Sequence, residues 1–321
     1  MTGSARTPPL ARAILDGDRR ALARTITAVE NGDPRVSATL RTLYPHTGRA
    51  PVIGLTGPLG VGKSSLLSVL IGLLRERRKT VGVVAIDPSS PFTGGSVLGD
   101  RIRLERKAND DGVFFRSMAS RGEAGGVAAS TRAVARLLDA AGYEVIFVET
   151  VGSGQVDVAI RGIATTSVVV LVPHLGDEVQ TLKAGLFEIA DVFCVNKADL
   201  PGADLAAKDL SELVALGAAR DGWAPPIVPT STTRPAGIEE LWQAIEAHEQ
   251  FLDRTGLRVA HERARLSAEI TNRVKDRVGH EVAERLDRDA ELRRLLDRVV
   301  ARKIDPAGAA DELFRRRYAT R

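Results

Sequence analysis

Ala50-Pro-Val-Ile-Gly-Leu-Thr-Gly57-Pro-Leu-Gly-Val-Gly-Lys-Ser64-Ser-Leu-Leu-Ser-Val-Leu-Ile-Gly-Leu-Leu74 decides the architecture of this 321-residue chain. Its first seven residues form a short apolar run that reads as a buried strand, and Ser65 to Leu74 reads as a buried helix. Between them lies a complete G-x-x-x-x-G-K-[ST] phosphate loop. Strand, glycine-rich loop and helix in this order let backbone N–H groups and a helix N-terminus converge on phosphate. Gly57, Gly60, Val61, Gly62 and Ser65 are therefore candidate nucleotide contacts. Gly57 and Gly62 lack the Cβ atoms that would hold phosphates away, Lys63 reaches the β- and γ-phosphates, and Ser64 offers its hydroxyl to Mg²⁺.

Asn196-Lys-Ala-Asp199 follows a second buried-strand run, Val192-Phe-Cys-Val195, and so falls at a strand's carboxyl end, where open parallel sheets bind ligands. Asp199 suits the N1–H and 2-amino donors of guanine. Adenine offers neither donor on that edge and would leave the carboxylate unpaired. The Lys197 stem suits the face of the ring, and Asn196 suits a loop-holding role. Thr230-Ser231-Thr232, after the apolar Ile227-Val228, supplies a further base-contacting loop through Ser231 and Thr232. Together with the phosphate loop these segments specify GTP and GDP. Between them stands Glu149-Thr-Val-Gly152, with Glu where most small GTPases place Asp before x-x-Gly.

Asp87 and Asp100 lie in a third loop, Ala85-Ile-Asp-Pro-Ser-Ser-Pro-Phe-Thr-Gly-Gly-Ser-Val-Leu-Gly-Asp-Arg101, which follows an apolar strand and is dense in turn residues. Carboxylates placed there hold Mg²⁺ directly or through water, orient an attacking water, or merely cap turns.

Composition is that of a globular enzyme, with 44% hydrophobic and 27% charged residues. The formal charge of +4 is small, and Arg315-Arg-Arg317 reads as a solvated face or tail and not as a nucleic-acid patch. A single cysteine, Cys194, excludes an internal disulfide framework and points to a reducing compartment. No charged-then-apolar leader opens the chain and no apolar run approaches membrane length. The expectation is a soluble cytoplasmic protein with neither membrane nor nucleic acid as partner.

Three regions follow from the pattern. Residues 1–46 form a helical extension, with a helix over Leu10–Glu30 broken at Gly17 and a short one over Pro34–Leu43. Residues 47–248 alternate strands (Thr80–Ile86, Glu144–Glu149, Thr166–Val172, Val192–Val195) with helices (Val127–Ala141, Leu182–Ala190, Ile238–Glu249). That alternation specifies an α/β fold, a mostly parallel sheet with helices on both faces. Residues 249–321 read as helical, and Leu266, Ile270, Val274, Val278, Val282 and Leu286 recur every four residues, with Gly279 a candidate interruption. Such a stripe packs either on the chain's own α/β domain or on a second subunit.

The strings AIDPSSPFTGGSVLGDR, VETVGSGQ, GDEVQTLKAGLFEIADVFCVNKADL and GIEELWQAIEAH resemble the MeaB-type accessory GTPases of cobalamin-dependent acyl-CoA mutases, and the likeness spans nearly the whole chain. The resemblance implies a P-loop NTPase of the SIMIBI class, which also holds signal-recognition, hydrogenase and urease GTPases. It implies a helical N-terminal extension and a homodimer formed through a C-terminal arm, which favours the intersubunit reading of the stripe. It also implies a switch that gates adenosylcobalamin delivery to the mutase and removal of damaged cofactor. At matching positions Asp87 and Asp100 belong to a first switch near the metal and the attacking water, Glu149 is the Walker B carboxylate, and Gly152 with Gln155 belongs to a second switch. Gly176-Asp-Glu-Val-Gln180 with Lys183 matches a third mobile loop, so Asp177, Gln180 and Lys183 join the candidate residues.

Two departures fall in the signalling loops. After Glu-Thr-Val-Gly the family usually reads Val-Gly-Gln-Ser-Glu where this chain has Ser153-Gly-Gln-Val-Asp157, and His174 stands where the family tends to have Gly. No arginine finger is identifiable, so the expected hydrolysis is slow alone and faster with a partner. Among competing readings, a nickel metallochaperone-type GTPase calls for a Cys/His cluster, which one Cys and five scattered His do not provide. A transport-system kinase or ATPase calls for a Leu-Ser-Gly-Gly-Gln signature or an anchor, and Val151-Gly-Ser-Gly-Gln155 is a poor copy of the former.

Overall fold

The computed structural model describes residues 8–87, 110–119, 124–150, 160–173, 186–215, 220–286 and 289–318. Among them seven strands form one sheet: β1 (Val52–Thr56), β2 (Val81–Asp87), β3 (Val113–Ala119), β4 (Val145–Glu149), β5 (Thr166–Leu171), β6 (Val192–Val195) and β7 (Ile227–Pro229), in the order β3-β2-β4-β1-β5-β6-β7. Every pairing is parallel. Parallel strands need crossovers that lay helices on both faces, so central strands are apolar throughout instead of alternating. Strands β4, β5 and β6 are accordingly buried along their whole length.

The pleat divides this apolar material into two cores. Ile53, Leu55, Val81, Val83, Val145, Phe147, Val168 and Val170 face the helices Lys63–Glu76 and Ile238–Thr255. Val84, Ile86, Ile146, Val148, Val169 and Leu171 face the helix Ala124–Ala140 and the N-terminal helices. Strand β1 lies between β4 and β5, with Leu55 in register with Glu149 on one side and Val168 on the other. From β1 the chain runs to β2 and β3 on one side, returns to place β4 between β2 and β1, and continues through β5, β6 and β7 on the other side, so the carboxyl end of β1 lies at a topological switch point.

The N-terminal helices are Pro9–Leu15 and Arg19–Glu30, and the break between them is at Gly17, whose φ of +86° favours a residue without Cβ. Asp18 caps the second, accepting from the N–H groups of Arg20 and Ala21. The predicted helix over Pro34–Leu43 is a 3₁₀ turn, Pro34–Val36, followed by the helix Ser37–Leu43. Leu22 and Ile26 are buried in the same core as Val134 and Leu138 of the helix Ala124–Ala140. Polar anchors reinforce this packing: Arg19 donates to the carbonyls of Asp111 (2.5 Å) and Val113 (2.6 Å), and Arg116 of β3 pairs with Glu30.

Strand β3 and the helix Ala203–Ala215 extend the predicted set. Helix Ile238–Thr255 runs past Glu249 until Gly256, in the left-handed region at φ +73°, ends it. By compactness the chain divides into Met1–Val259 and Ala260–Arg321. Helix Leu257–Leu286 is continuous through Gly279, and Ala290–Val300 and Pro306–Tyr318 follow it. Among the described residues no helix is long and apolar enough to cross a membrane.

Candidate functional site

Phosphate-loop and base-loop segments meet at the carboxyl ends of β1, β4 and β6. The loop after β1 turns through three left-handed glycines, Gly57 (φ +139°), Gly60 (φ +76°) and Gly62 (φ +91°), and Gly62 caps the helix Lys63–Glu76. Two of them have a steric reason beyond phosphate access. A Cβ on Gly57 would stand 2.1 Å from the carbonyl oxygen of Val170 in β5, and one on Gly62 would stand 2.6 Å from Nδ2 of Asn196. The loop is pressed against its neighbours on both sides, and the side chain of Val61 is buried in the core beneath it.

Lys63 is buried, and its ammonium donates to the carbonyls of Gly57 (2.6 Å) and Pro58 (2.8 Å). The charge is therefore held inside the curl of the loop by the backbone around it. Ser64 donates its hydroxyl to Oε1 of Glu149 at 2.6 Å. Glu149 closes β4 and is itself buried. Directly after it, the Thr150 hydroxyl donates to Thr56 Oγ1 at 2.9 Å, tying the exit of β4 to the end of β1.

The base loop is fastened to the phosphate loop at two points. Asn196, fully buried, donates its Nδ2 to the carbonyl of Val61 at 2.8 Å and accepts from the Thr230 hydroxyl at 3.2 Å. Lys197 sits in the left-handed region at φ +57° and extends its Nζ to the carbonyl of Gly60 at 2.9 Å. A lysine in that conformation is a strained choice, of the kind found where function requires the geometry. Asp199 is exposed, and both carboxylate oxygens are held: Oδ1 by the Ser231 hydroxyl (2.6 Å) and Oδ2 by the Thr233 hydroxyl (3.1 Å). The Ser231 hydrogen bond leads in holding the Asp199 carboxyl below its ordinary range. The two base-loop segments also join through their backbones, Ala198 N–H donating to the carbonyl of Thr230 at 2.8 Å.

A family model described as methylmalonyl-CoA mutase-associated GTPase MeaB matches residues 22–287. The chain belongs to this GTPase family. A Pyrococcus abyssi protein named as a GTPase is 49% identical over 304 residues, covering 93% of each chain. The mouse protein named methylmalonic aciduria type A homolog, mitochondrial, is 28% identical over 323 residues, covering 94% of this chain and 77% of that one. A crystal structure described as an LAO/AO transport system kinase is similar with a TM-score of 0.73 and 26% identity, covering 98% of each chain. The fold is thus the P-loop α/β fold of a MeaB-family GTPase, and hydrolysis of GTP is its activity.

Of the positions singled out by sequence, the structure brings Gly57, Gly60, Val61, Gly62, Lys63, Ser64, Glu149, Asn196, Lys197, Asp199 and Ser231 into one bonded constellation. Ser65 and Thr232 are half-buried beside it. Asp87 is the last residue of β2, in register with Ala119. Its side chain, together with Asp100, Gly152, Gln155, Val156, Asp157, His174, Asp177, Gln180 and Lys183, lies outside the described residues. Thr150 and Thr230 fall within the sequence motifs without a role for either hydroxyl, and Thr233 lies outside them, yet all three bond to site residues or to the strand beneath them. The signal available for two of them was the clustering of hydroxyl residues after β7.

Proposed function

We propose that this MeaB-family GTPase is a guanine-nucleotide switch acting on a cobalamin-dependent acyl-CoA mutase, gating cofactor loading and removal of damaged cofactor. The observation that carries the nucleotide part is the joined pair of loops. Asn196 and Lys197 bond to the carbonyls of Val61 and Gly60, so the guanine-reading carboxylate of Asp199 sits at a fixed distance from the phosphate cradle. The mutase part is supported by the family's description and by the mouse relative.

In this reading the N–H groups of the loop and the start of helix Lys63–Glu76 receive the phosphates. Lys63 exchanges its bonds to Gly57 and Pro58 for the β- and γ-phosphates. Ser64 and Glu149 present two oxygens 2.6 Å apart on the same edge, a hard donor pair suited to Mg²⁺. Mg²⁺ bound there would neutralise charge between the β- and γ-phosphates. Asp87 and Asp100 complete the metal and water-orienting set, while Gly152 with Gln155, and Asp177 with Gln180 and Lys183, act as switch loops. Release of the γ-phosphate relaxes those loops, and a mutase that prefers one arrangement alters nucleotide affinity in return.

Residues 1–46 serve as a helical N-terminal extension, 47–248 as the GTPase domain and 249–321 as a helical dimerisation arm, in a cytoplasmic homodimer. The exposure of Ile270 (62%) and Val274 (56%) on helix Leu257–Leu286 supports an apolar stripe available to a second copy. GTP and ATP turnover, measured with and without candidate cobalamin mutases, tests the whole reading. GTP alone should be hydrolysed, faster with the client. Equal ATP turnover would remove the assignment of Asp199, and indifference to every cobalamin mutase would remove the chaperone role while leaving the GTPase intact.

A further inference from the structure

We propose that Thr233 is a specificity-determining positioning residue: with Ser231 it clamps both oxygens of the Asp199 carboxylate and fixes the plane in which guanine is read. The proposal rests on the guanine-site reading above. The rotation of an aspartate carboxylate about its last bond is broad and roughly two-fold, so one hydrogen bond to one oxygen leaves the plane free to swing. Two hydroxyls on opposite oxygens, at 2.6 Å from Ser231 and 3.1 Å from Thr233, define that plane. An ionised carboxylate has about four acceptor positions, so each clamped oxygen retains capacity for one base N–H. Guanine presents N1–H and the 2-amino group side by side, and a pair of parallel donors is read well only by a carboxylate coplanar with it.

The clamp is built on a stiff turn. Ser231 is buried, exchanges backbone hydrogen bonds with Ala236 (3.0 and 3.2 Å), and its Oγ accepts from the N–H of Arg234 at 3.2 Å. Gly237 closes the turn at φ +70°, where a Cβ would stand 2.0 Å from the carbonyl oxygen of Pro229. The Ser231 and Thr233 hydroxyl oxygens lie within hydrogen-bond distance of each other at 3.1 Å, so the single Thr233 hydrogen is shared between Asp199 Oδ2 and Ser231 Oγ and the two arms are set side by side. Ser231 thus bonds from a rigid base, and Thr233 supplies the second arm from the turn's exposed side.

The competing explanation is that the Thr233 hydroxyl only stabilises the turn. Calorimetric titration of the full-length chain with GDP, IDP (which lacks the 2-amino group) and ADP separates the two. Thr233→Val keeps the side chain's volume and removes the hydroxyl, and Thr233→Ser keeps the hydroxyl. With Thr233→Val, GDP binding should weaken about fivefold, the net worth of one hydrogen bond, with IDP affected less and ADP unchanged. Thr233→Ser should restore the wild-type GDP:IDP ratio. Equal weakening of all three nucleotides, or no change, overturns the proposal. Should Thr233→Val fail to fold, Thr233→Ala removes the same hydroxyl and must narrow the same ratio. Wild-type protein that binds GDP and ADP alike would instead overturn the guanine-site reading on which the proposal stands.

Discussion

The N-terminal helices bury Leu22 and Ile26 completely in a core shared with helix Ala124–Ala140, whereas in the unit Ala260–Arg321 the apolar Ile270, Val274, Leu296, Val300 and Phe314 remain exposed. Both stretches carry apolar residues at helical spacing. The difference lies in what accompanies them. Beside the N-terminal helices stand fixed polar partners: the carbonyls of Asp111 and Val113 for Arg19, and Arg116 for Glu30. The buried carboxylate of Asp139 also accepts from the N–H groups of Gly48, Arg49 and Ala50, pinning the chain where it enters β1. In the C-terminal unit Glu269 pairs with Arg273 one turn along the same helix, and Arg298 pairs with Glu312 of the following helix. Periodicity announces that a face needs covering, and only the surrounding polar groups show by what.

The largest effect should come from the docked side. Leu22→Ala removes a fully packed side chain and should cost about 2–5 kcal/mol of stability by denaturant unfolding. A cost below 1 kcal/mol would mean that the extension is not part of the folded core, and the contrast would vanish.

Cys194 offers a second probe, because it reports on the sheet alone. Burial pushes its thiol up from 9.0 to about 12, so it should resist alkylation in the native protein and react only when the sheet opens. Leu22→Ala should speed that reaction, and changes in the C-terminal stripe should not. The sign of the pH dependence follows from the same shift. Between pH 9 and about 12 the unfolded chain ionises this thiol while the folded chain keeps it protonated, so its contribution to stability is intact below pH 9 and falls as pH rises. Rapid labelling of native protein at pH 8 would contradict the burial.

The smallest effect on stability should come from Ile270→Ser with Val274→Ser. As exposed positions they should change the unfolding free energy of dilute protein by no more than about 0.5 kcal/mol. The same pair should shift sedimentation from dimer toward monomer if a second copy covers the stripe. An unchanged mass at all concentrations would argue that the stripe faces solvent or another partner.

Much of the sheet could be read before folding. The continuous apolar runs of β1, β4, β5 and β6 belong to strands buried on both faces, and such runs are visible in a single sequence. Strand β3 was not, because it lies at the end of the sheet and carries Arg116 and Ser117 among its apolar residues. Gly279 reads as an interruption, yet helix Leu257–Leu286 passes through it, since a single glycine costs only about 1 kcal/mol in a run of 30 helical residues rich in Ala, Leu, Arg, Lys and Glu. The sequence pattern ends the helix from Ile238 at Glu249, but His248 and Leu252 are buried, so tertiary packing carries it on to the Gly256 stop.

The phosphate loop and the guanine motif were determined by the sequence itself, because each is a local string whose chemistry depends on residue type and on the adjoining strand or helix. What the tertiary structure decided is how they meet. Ser64 and Glu149 are 85 positions apart, and Asn196 and Val61 are 135 apart. Those bonds exist because parallel pairing brings the carboxyl ends of β1, β4, β5 and β6 to one edge. The choice of Thr233 as the second hydroxyl on Asp199, beside a Thr232 of identical chemistry, was likewise a matter of where the turn after β7 aims each side chain. Hydrogen bonds are set by distances of about 3 Å, and across long loops such distances are fixed by the register of the sheet and not by spacing along the chain.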